Sequence, residues 1–477
     1  MNDYDVIIIG TGAAGIFTAL KLVENSDLKV GLFDKGSALS KRKCLKDNKG
    51  CKGCNVCSIL CGWGGAGAFS DGKLLFSSDV GGWLGDYISD NTLEQLINIV
   101  DDYYIRFGGN GKIYGSDDKF KEWKDKTSKY GIKFIPAKVK HIGTQKCKYV
   151  LSNMYNYLNG QPNIDIKVNT EVLNIISDGK IVRGIHTNKG DYFAPIVVAA
   201  PGRYGSSWLI DETNRLGLNV GTNPVDLGVR VEVHHSIMEK VTNELYDPKF
   251  SYITDTYNDE VRMFCTNPFG EVVLEKYDDI LTVNGHASNK KLSFNTNFAL
   301  LVNIKFTKPF KDSISYAKNI AKTANLISGG IIIQRFNDLL NGRRSTPYRI
   351  RQSLVLPTLK CATPGDLGLA LPYRYVVDII EAMEAFNKLC PGLTDRGGDT
   401  LLYGLEVKLY SQRIRVNHEM ETSINGLYTI GDGAGLTRGL VQASASGYIV
   451  ALTILKRYGI NITDGELDII PKADVAQ

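Results

Sequence analysis

The segment YDVIIIGTGAAGIFTALKLVENSDLKVGLFDKG, residues 4–36, constrains the fold more than any other part of the chain. It reads as strand, tight turn, helix, strand. Val6 to Ile9 form an unbroken apolar run, the signature of a parallel strand buried on both faces. Gly10, Gly12 and Gly15 then make G-x-G-x-x-G at the strand-to-helix junction. Gly10 permits the tight turn and Gly12 lets the backbone approach a pyrophosphate at the helix N-terminus. Gly15 lets helix and strand pack closely. The second strand, Val30 to Phe33, ends at Asp34, where a carboxylate can accept from ribose hydroxyls. The motif alone leaves NAD and FAD both open.

A second glycine-rich turn closes the chain. TSINGLYTIGDGAGLTRGLVQASASGYIVALTIL, residues 422–455, has a short strand, Gly431-Asp432-Gly433, and a turn into an apolar helix. Between the two lies NTEVLNIISDGKIVRGIHTNKGDYFAPIVVAAPGRYG, residues 169–205, with alternating strands, a turn at Asp178-Gly179 and the apolar run Ile196 to Ala200. In this order the three segments resemble the glutathione-reductase-like flavoproteins with two dinucleotide-binding motifs. The resemblance implies FAD. By position it implies contacts from Gly10, Gly12, Ala13, Ala14, Gly15, Asp34 and Lys35, from Val172 near the adenine, and from Ala200 and Gly202. It also implies Gly431, Asp432, Arg438, Gly439 and Leu440 around the ribityl chain and the flavin edge.

A narrower resemblance rests on GWGGAGAFSDGKL, YGLEVKLYSQRIRV and GDGAGLTRGLVQASASG. These are similar to a group of uncharacterised bacterial and archaeal FAD-dependent dehydrogenases, over most of the chain. That group implies a fold and a cofactor but names no substrate. The expected fold class is α/β: a Rossmann-like FAD-binding domain, a mixed sheet with βαβ units, carrying an inserted α+β substrate or cap domain. The expected divisions are 1–80 (with a cysteine-rich loop at 44–61), a helical insert at 81–135, then 136–215, the substrate domain at 216–400, and 401–477. Residues 91–109 should open a helix on a capping box from Asn91 to Glu94. No second complete G-x-G-x-x-G unit exists in mid-chain, so no separate nicotinamide domain is encoded. Gly65 and Gly67 of the GWGG loop are expected to bring backbone against the cofactor.

Cys51, Cys54, Cys57 and Cys61 stand as C-x2-C-x2-C-x3-C, the spacing of a bacterial ferredoxin run. A [4Fe–4S] cluster is the first reading and a four-thiolate zinc site the second. Free or redox-switching thiols are the third. The residue after Cys61 is Gly62 where the ferredoxin run has proline, so the ligand set is either these four or Cys44, Cys51, Cys54 and Cys57. Such a centre would serve as an electron inlet beside the flavin.

Candidate catalytic residues are Glu406, Lys408, Tyr410 and Arg413, just before the closing motif. Arg343, Arg344 and the turn at 361–368 are further candidates for substrate contact, and His234-His235 is a candidate for part of a metal or acid–base site. Two functions follow. One is an FAD-dependent oxidoreductase acting on a small organic substrate. The other is an electron-transfer flavoprotein passing electrons between its iron–sulfur cluster and a protein partner; a ferredoxin-like electron donor is the expected partner of such a centre. The 477 residues carry a net charge of +5 without a block of like charges, so no nucleic-acid tail is expected. No apolar run reaches the roughly 18 residues of a membrane span. MNDYDVIIIGTG lacks a basic stretch before its apolar run, so a cytoplasmic, reducing location is expected.

Overall fold

The computed structural model describes residues 2–45, 54–277, 279–287, 291–306, 312–394, 400–409, 412–460, 462, 467 and 469–472. The chain divides into two compact units. Residues 1–112, 140–223 and 411–477 form the first, and 113–139 with 224–410 the second. Residues 81–135 are therefore not a unit of their own. Those up to 112 join the first unit through Tyr104 and its neighbours, which pack on Phe17. The ring centroids of Phe17 and Tyr104 lie 5.5 Å apart. The helix there spans Asp90–Arg106 and is capped by Ser89, whose side chain accepts from Thr92 N–H. Asn91 lies inside the helix. Ser89 takes the cap because its backbone is extended and its hydroxyl reaches the orphan amide.

In the first unit, five strands lie in the order Leu427–Thr429, Ile196–Ala199, Val6–Ile9, Val30–Phe33, Ile164–Lys167. Every pairing is parallel, so this sheet is not mixed. The first four strands are buried along their whole length, as their continuous apolar runs require. A separate antiparallel sheet holds Gly190–Phe193, Val182–Thr187 and Val172–Ser177. Helices Ala13–Asn25 and Leu440–Arg457 meet at Gly447, where a Cβ would stand 2.1 Å from the Ala14 carbonyl oxygen. Thr18 Oγ1 donates to the carbonyls of Ala14 and Gly447, at 3.0 and 3.1 Å, and ties the two helices at the same level.

The second unit is built on an eight-stranded sheet, ordered Thr363–Pro364, Ile332–Arg335, Leu401–Lys408, Val225–His234, Asn295–Ile304, Glu260–Asn267, Phe250–Ile253, Ile132–Phe134. Along Val225–His234, successive side chains point to opposite faces. Val225, Leu227, Val229, Val231 and Val233 join an apolar core with Ala317, Ala321 and Ala324 of helix Ser313–Ser328 and Ile379, Met383 and Phe386 of helix Tyr373–Asn387. Asp226, Arg230 and Glu232 alternate with them and are also fully buried. Their burial is tolerated because each finds polar partners. Glu232, for example, accepts from Thr358 Oγ1 at 2.6 Å, Tyr403 Oη at 2.5 Å and Asn295 Nδ2 at 3.1 Å. Among the described residues, no helix is long and apolar enough to cross a membrane.

Helix Tyr373–Asn387 also buries Asp378, which accepts from Thr254 Oγ1 at 2.8 Å. Burial, and then the neighbouring Asp259 carboxylate, push its carboxyl up to about 6. For a carboxyl raised in the folded state, stability is full below the unfolded pKa and is lost as pH rises through the folded one. Asp378→Asn should therefore stabilise the protein by roughly 1–2 kcal/mol at about pH 8 and much less near pH 4. Thermal unfolding at the two pH values checks this. A variant equally or less stable at the higher pH contradicts it.

Candidate functional site

Within the first unit, four turns meet at the carboxyl ends of the parallel strands, where open α/β sheets bind ligands. Gly10 has φ +104°, donates its N–H to Phe33 O at 2.7 Å, and leaves no room for a side chain: a Cβ would lie 2.2 Å from Ala200 O. A Cβ on Gly15 would lie 2.0 Å from Gly10 O. Gly433 is closed in the same way by Gly202 O, at 2.5 Å. By contrast, nothing lies within 4 Å of the Cβ positions of Gly12, Gly202 and Gly439. The first kind of glycine permits packing. The second kind leaves bare backbone facing open space, as a pyrophosphate cradle needs. The residues present thus fit a dinucleotide.

The GWGG loop lies against this cradle. Gly64 N–H donates to Thr11 O at 2.8 Å, and a Cβ on Gly65 would meet Gly12 Cα at 3.2 Å. Gly67 faces Leu440, the first residue of the closing helix. Trp63 anchors the loop, with its indole N–H on Leu151 O at 2.7 Å. Beneath it, an apolar cleft is lined by Ala13, Phe17, Gly64, Gly67, Cys147 and Leu440.

The other residues singled out from the sequence have mixed placements. Asp432 accepts from Thr437 Oγ1 at 2.8 Å and Gly439 N–H at 3.2 Å, with Arg203 at 3.6 Å. Burial pushes its carboxyl upward against the pull of Arg203. The Asp34 carboxylate is held by Thr11, Gly36 and Gly62. Lys35 lies over the Tyr204 ring, 4.8 Å from its centroid, and 3.8 Å from Glu171. Val172 is buried opposite Thr187. Ala14 and Ala200 are buried at the roots of their turns. Arg438 and Arg413 both lie against the Trp83 ring, 4.1 and 4.7 Å from its centroid, and Arg413 pairs with Asp86 at 2.6 Å.

Glu406 and Lys408 belong to the second unit, where they pair at 2.8 Å. Glu406 is fully buried and also meets Arg230 Nε at 3.1 Å. Burial draws the Lys408 ammonium down, but Glu406 and Glu275 outweigh it and leave the pKa raised. Asn284, on the strand Ile280–His286, bridges Arg230 and Lys408 through its Oδ1, at 3.2 and 3.3 Å. Glu406 is thus neutralised on both sides, which suits a held ion pair better than a free base. Tyr410 and Cys51 lie outside the described residues. Arg343 pairs with Asp338 at 2.8 Å, and His234 caps the helix His235–Leu245.

Cys44, Cys54 and Cys57 are at least partly exposed, while Cys61 is buried. Among the described residues, no group of three or more His, Cys, Asp or Glu side chains could hold a metal ion. Sequence reasoning missed Thr11, Arg42, Trp83 and Arg230. The x position of a glycine motif, a lone Arg in a loop and a charge at a strand centre carry no local signal of their partners.

Residues 224–408 match the model of the family described as FAD-dependent protein, C-terminal domain-like. The chain is 26% identical over 485 residues to an uncharacterised protein of Clostridium beijerinckii (strain ATCC 51743 / NCIMB 8052), covering 95% of this chain and 81% of the relative. Among solved structures it is similar to glycine oxidase from Bacillus cereus ATCC 14579 at 16% identity and a TM-score of 0.39, covering 100% of both chains. It is also similar to L-proline dehydrogenase from P. horikoshii at 11% identity and a TM-score of 0.37, covering 97% of this chain and 96% of that one. Likenesses this low carry no argument about activity. The family description and the dinucleotide cradle together support an FAD-dependent protein with a Rossmann-like α/β fold.

The two kinds of glycine separate in a mutational test. Gly12 caps the helix at φ −79°, a conformation alanine adopts. Gly12→Ala should keep the melting temperature of the flavin-free protein and lose most of its flavin. Gly15→Ala should destabilise the flavin-free protein itself by about 2 kcal/mol or more, through overpacking. Denaturant unfolding and flavin content measured on both variants check the pair. An equal effect on stability would contradict the assignment.

Proposed function

We propose that this protein is an FAD-dependent oxidoreductase acting on a small organic molecule. The bare backbone at Gly12, Gly202 and Gly439, gathered at the carboxyl ends of one parallel sheet, carries the proposal. The family description of residues 224–408 supports it. Bound FAD would supply the hydride or electron transfer that no amino-acid side chain provides.

The chain's own groups then have distinct tasks. The first turn of helix Ala13–Asn25 contains no acidic residue, so its free N–H groups meet pyrophosphate charge without opposition. Gly65 lies over that turn, and Gly67 lies against Leu440 at the start of the closing helix. Asp432, aligned by Thr437 and Gly439, is assigned to accept from the ribityl region. The first turn of helix Leu440–Arg457 also lacks acids, and Arg438 stands just before it. Together they favour negative charge developing at a nearby acceptor. The second unit is assigned to substrate recognition, with Lys408 the more accessible member of its buried ion pair. Arg413 is assigned to a substrate carboxylate.

The cysteine loop is the finer part of the reading. Its spacing supports an iron–sulfur centre, with zinc second, fed by a ferredoxin-like donor. Gly62 and Gly64 support it too, because they bind Asp34 and Thr11 directly and so connect the loop to the cradle. The exposure of Cys44, Cys54 and Cys57 beside a buried Cys61 favours the ligand set that includes Cys44.

Anaerobically purified protein should be yellow and release FAD on acid precipitation. Iron and sulfide should be present in amounts comparable to flavin, and Cys54→Ser should lose them. NADH and NADPH should reduce the flavin slowly, since no second dinucleotide fold is encoded. A colourless protein that cannot be reconstituted with FAD contradicts the main reading. A yellow protein without iron, sulfide or zinc contradicts only the cysteine-loop reading.

A further inference from the structure

Asp34 ends the strand Val30–Phe33, the position that the flavoprotein resemblance assigns to a ribose acceptor. Its carboxylate already has a full set of protein partners. Oδ2 accepts from the Thr11 backbone N–H at 2.9 Å and from the Thr11 hydroxyl at 2.6 Å. Oδ1 accepts from Gly36 N–H at 2.7 Å and from Gly62 N–H at 2.9 Å. A carboxylate offers about four lone-pair sites, and these four donors occupy them. A ribose hydroxyl could bond here only by displacing a backbone amide, which would then be left unsatisfied.

A second group completes the arrangement. Arg42 is 6% exposed and donates to carbonyls rather than to a ligand. Its Nε meets Ser58 O at 2.9 Å, Nη1 meets Trp63 O at 2.5 Å, and Nη2 meets Ile59 O and Gly65 O, both at 2.8 Å. The guanidinium thus gathers carbonyls from residues 58–65, while Asp34 gathers N–H groups from Thr11, Gly36 and Gly62. Chain segments here touch without side chains between them: a Cβ on Gly36 would stand 2.3 Å from Gly62 N, and one on Gly62 2.3 Å from Ser37 O. The acid and the base therefore pin opposite polarities of one loop against the phosphate turn.

We infer that Asp34 is a positioning residue, paired with Arg42 in holding the GWGG loop on the phosphate turn, and that it does not bind the ribose of a bound dinucleotide. The inference rests on the FAD reading for its ligand, but its structural half stands on the loop alone. Ribose hydroxyls contribute little to affinity in this site, and the pyrophosphate contacts carry it. Order in residues 58–65 follows from hydrogen bonds to Asp34 and Arg42, so loss of a metal from the outer cysteines leaves that inner part of the loop in place.

The test has two arms. Flavin-free protein is titrated with FAD and with FAD analogues whose adenosine lacks the 2′- or the 3′-hydroxyl. All three should bind within about twofold of one another. A loss of about tenfold or more for either analogue, the size expected for a hydrogen bond to a charged group, overturns the inference. In the second arm, amide hydrogen exchange is followed over residues 54–70 in wild-type and Asp34→Asn protein. The amide presents N–H to donors at one corner, so exchange across 58–65 should quicken by about tenfold or more, in both flavin-free and flavin-bound protein. FAD affinity should fall while the ratio among the three ligands stays near one. Unchanged exchange overturns the positioning role. Where Asp34→Asn does not fold, Arg42→Lys carries the same exchange prediction, since an ammonium cannot span four carbonyls in that planar geometry. Failure of the FAD reading is separately visible as no binding of any of the three ligands, and the exchange arm then still decides the role of Asp34.

Discussion

Close approach of backbone to backbone at the carboxyl ends of five parallel strands underlies the whole first unit. Gly10 against Ala200, Gly15 against Gly10 and Gly447 against Ala14 are contacts in which a Cβ would stand between 2.0 and 2.2 Å from a carbonyl oxygen. No rotamer change relieves a clash between main chains, so these positions admit only glycine. The contacts seat the closing helix against the opening one, although more than four hundred residues separate them in the chain. Once seated, the same geometry leaves Gly12, Gly202 and Gly439 bare on the outer side. Packing and ligand site are thus two consequences of one constraint.

The second unit meets a different constraint. Its central strand Val225–His234 is buried on both faces, yet one face carries Asp226, Arg230 and Glu232. Buried charge of this kind is costly unless it is paired and hydrogen-bonded. The hairpin formed by Glu271–Tyr277 and Ile280–His286 contributes the needed group in Asn284, and neighbouring strands contribute Glu406, Lys408, Asn295 and Tyr403. The charges of Arg230, Glu406 and Lys408 are therefore paired within the unit, while Asn297 Nδ2 is buried without a hydrogen-bond partner among the described residues. Glu406 and Lys408 alternate on one strand face in sequence, and their mutual pairing was legible from that spacing. Arg230 was not, because it comes from a strand 176 positions away from Glu406, at its fully buried centre.

Much of the candidate site could be read from local pattern. Strand, turn and helix at residues 6–25, the hairpin around Asp178 and the closing turn at 431–433 each carry their own signal in spacing and residue type. Helix Ser313–Ser328 buries Ala317, Ala321 and Ala324 at helical spacing, while Leu326 near its end is exposed. The Asp90–Arg106 cap was misread because Asn91 and Glu94 imitate a capping box, whereas Ser89 holds the extended backbone that a cap requires. The parallel character of the whole first sheet also lay beyond local pattern, since it depends on which distant strands become neighbours.

By itself the sequence determined where backbone must be bare, which segments alternate with period two or 3.6, and which thiols are close along the chain. These are local properties, set by sterics and side-chain periodicity. Tertiary structure alone decided what each polar group does. Asp34 ends its strand in the position of a ribose acceptor, yet folding brings Thr11, Gly36 and Gly62 onto its oxygens first. Arg42 has no partner readable from its neighbours and finds four carbonyls in a loop that begins sixteen residues later. A hydrogen-bond acceptor has a limited number of lone pairs, and only the three-dimensional arrangement says which donors reach them.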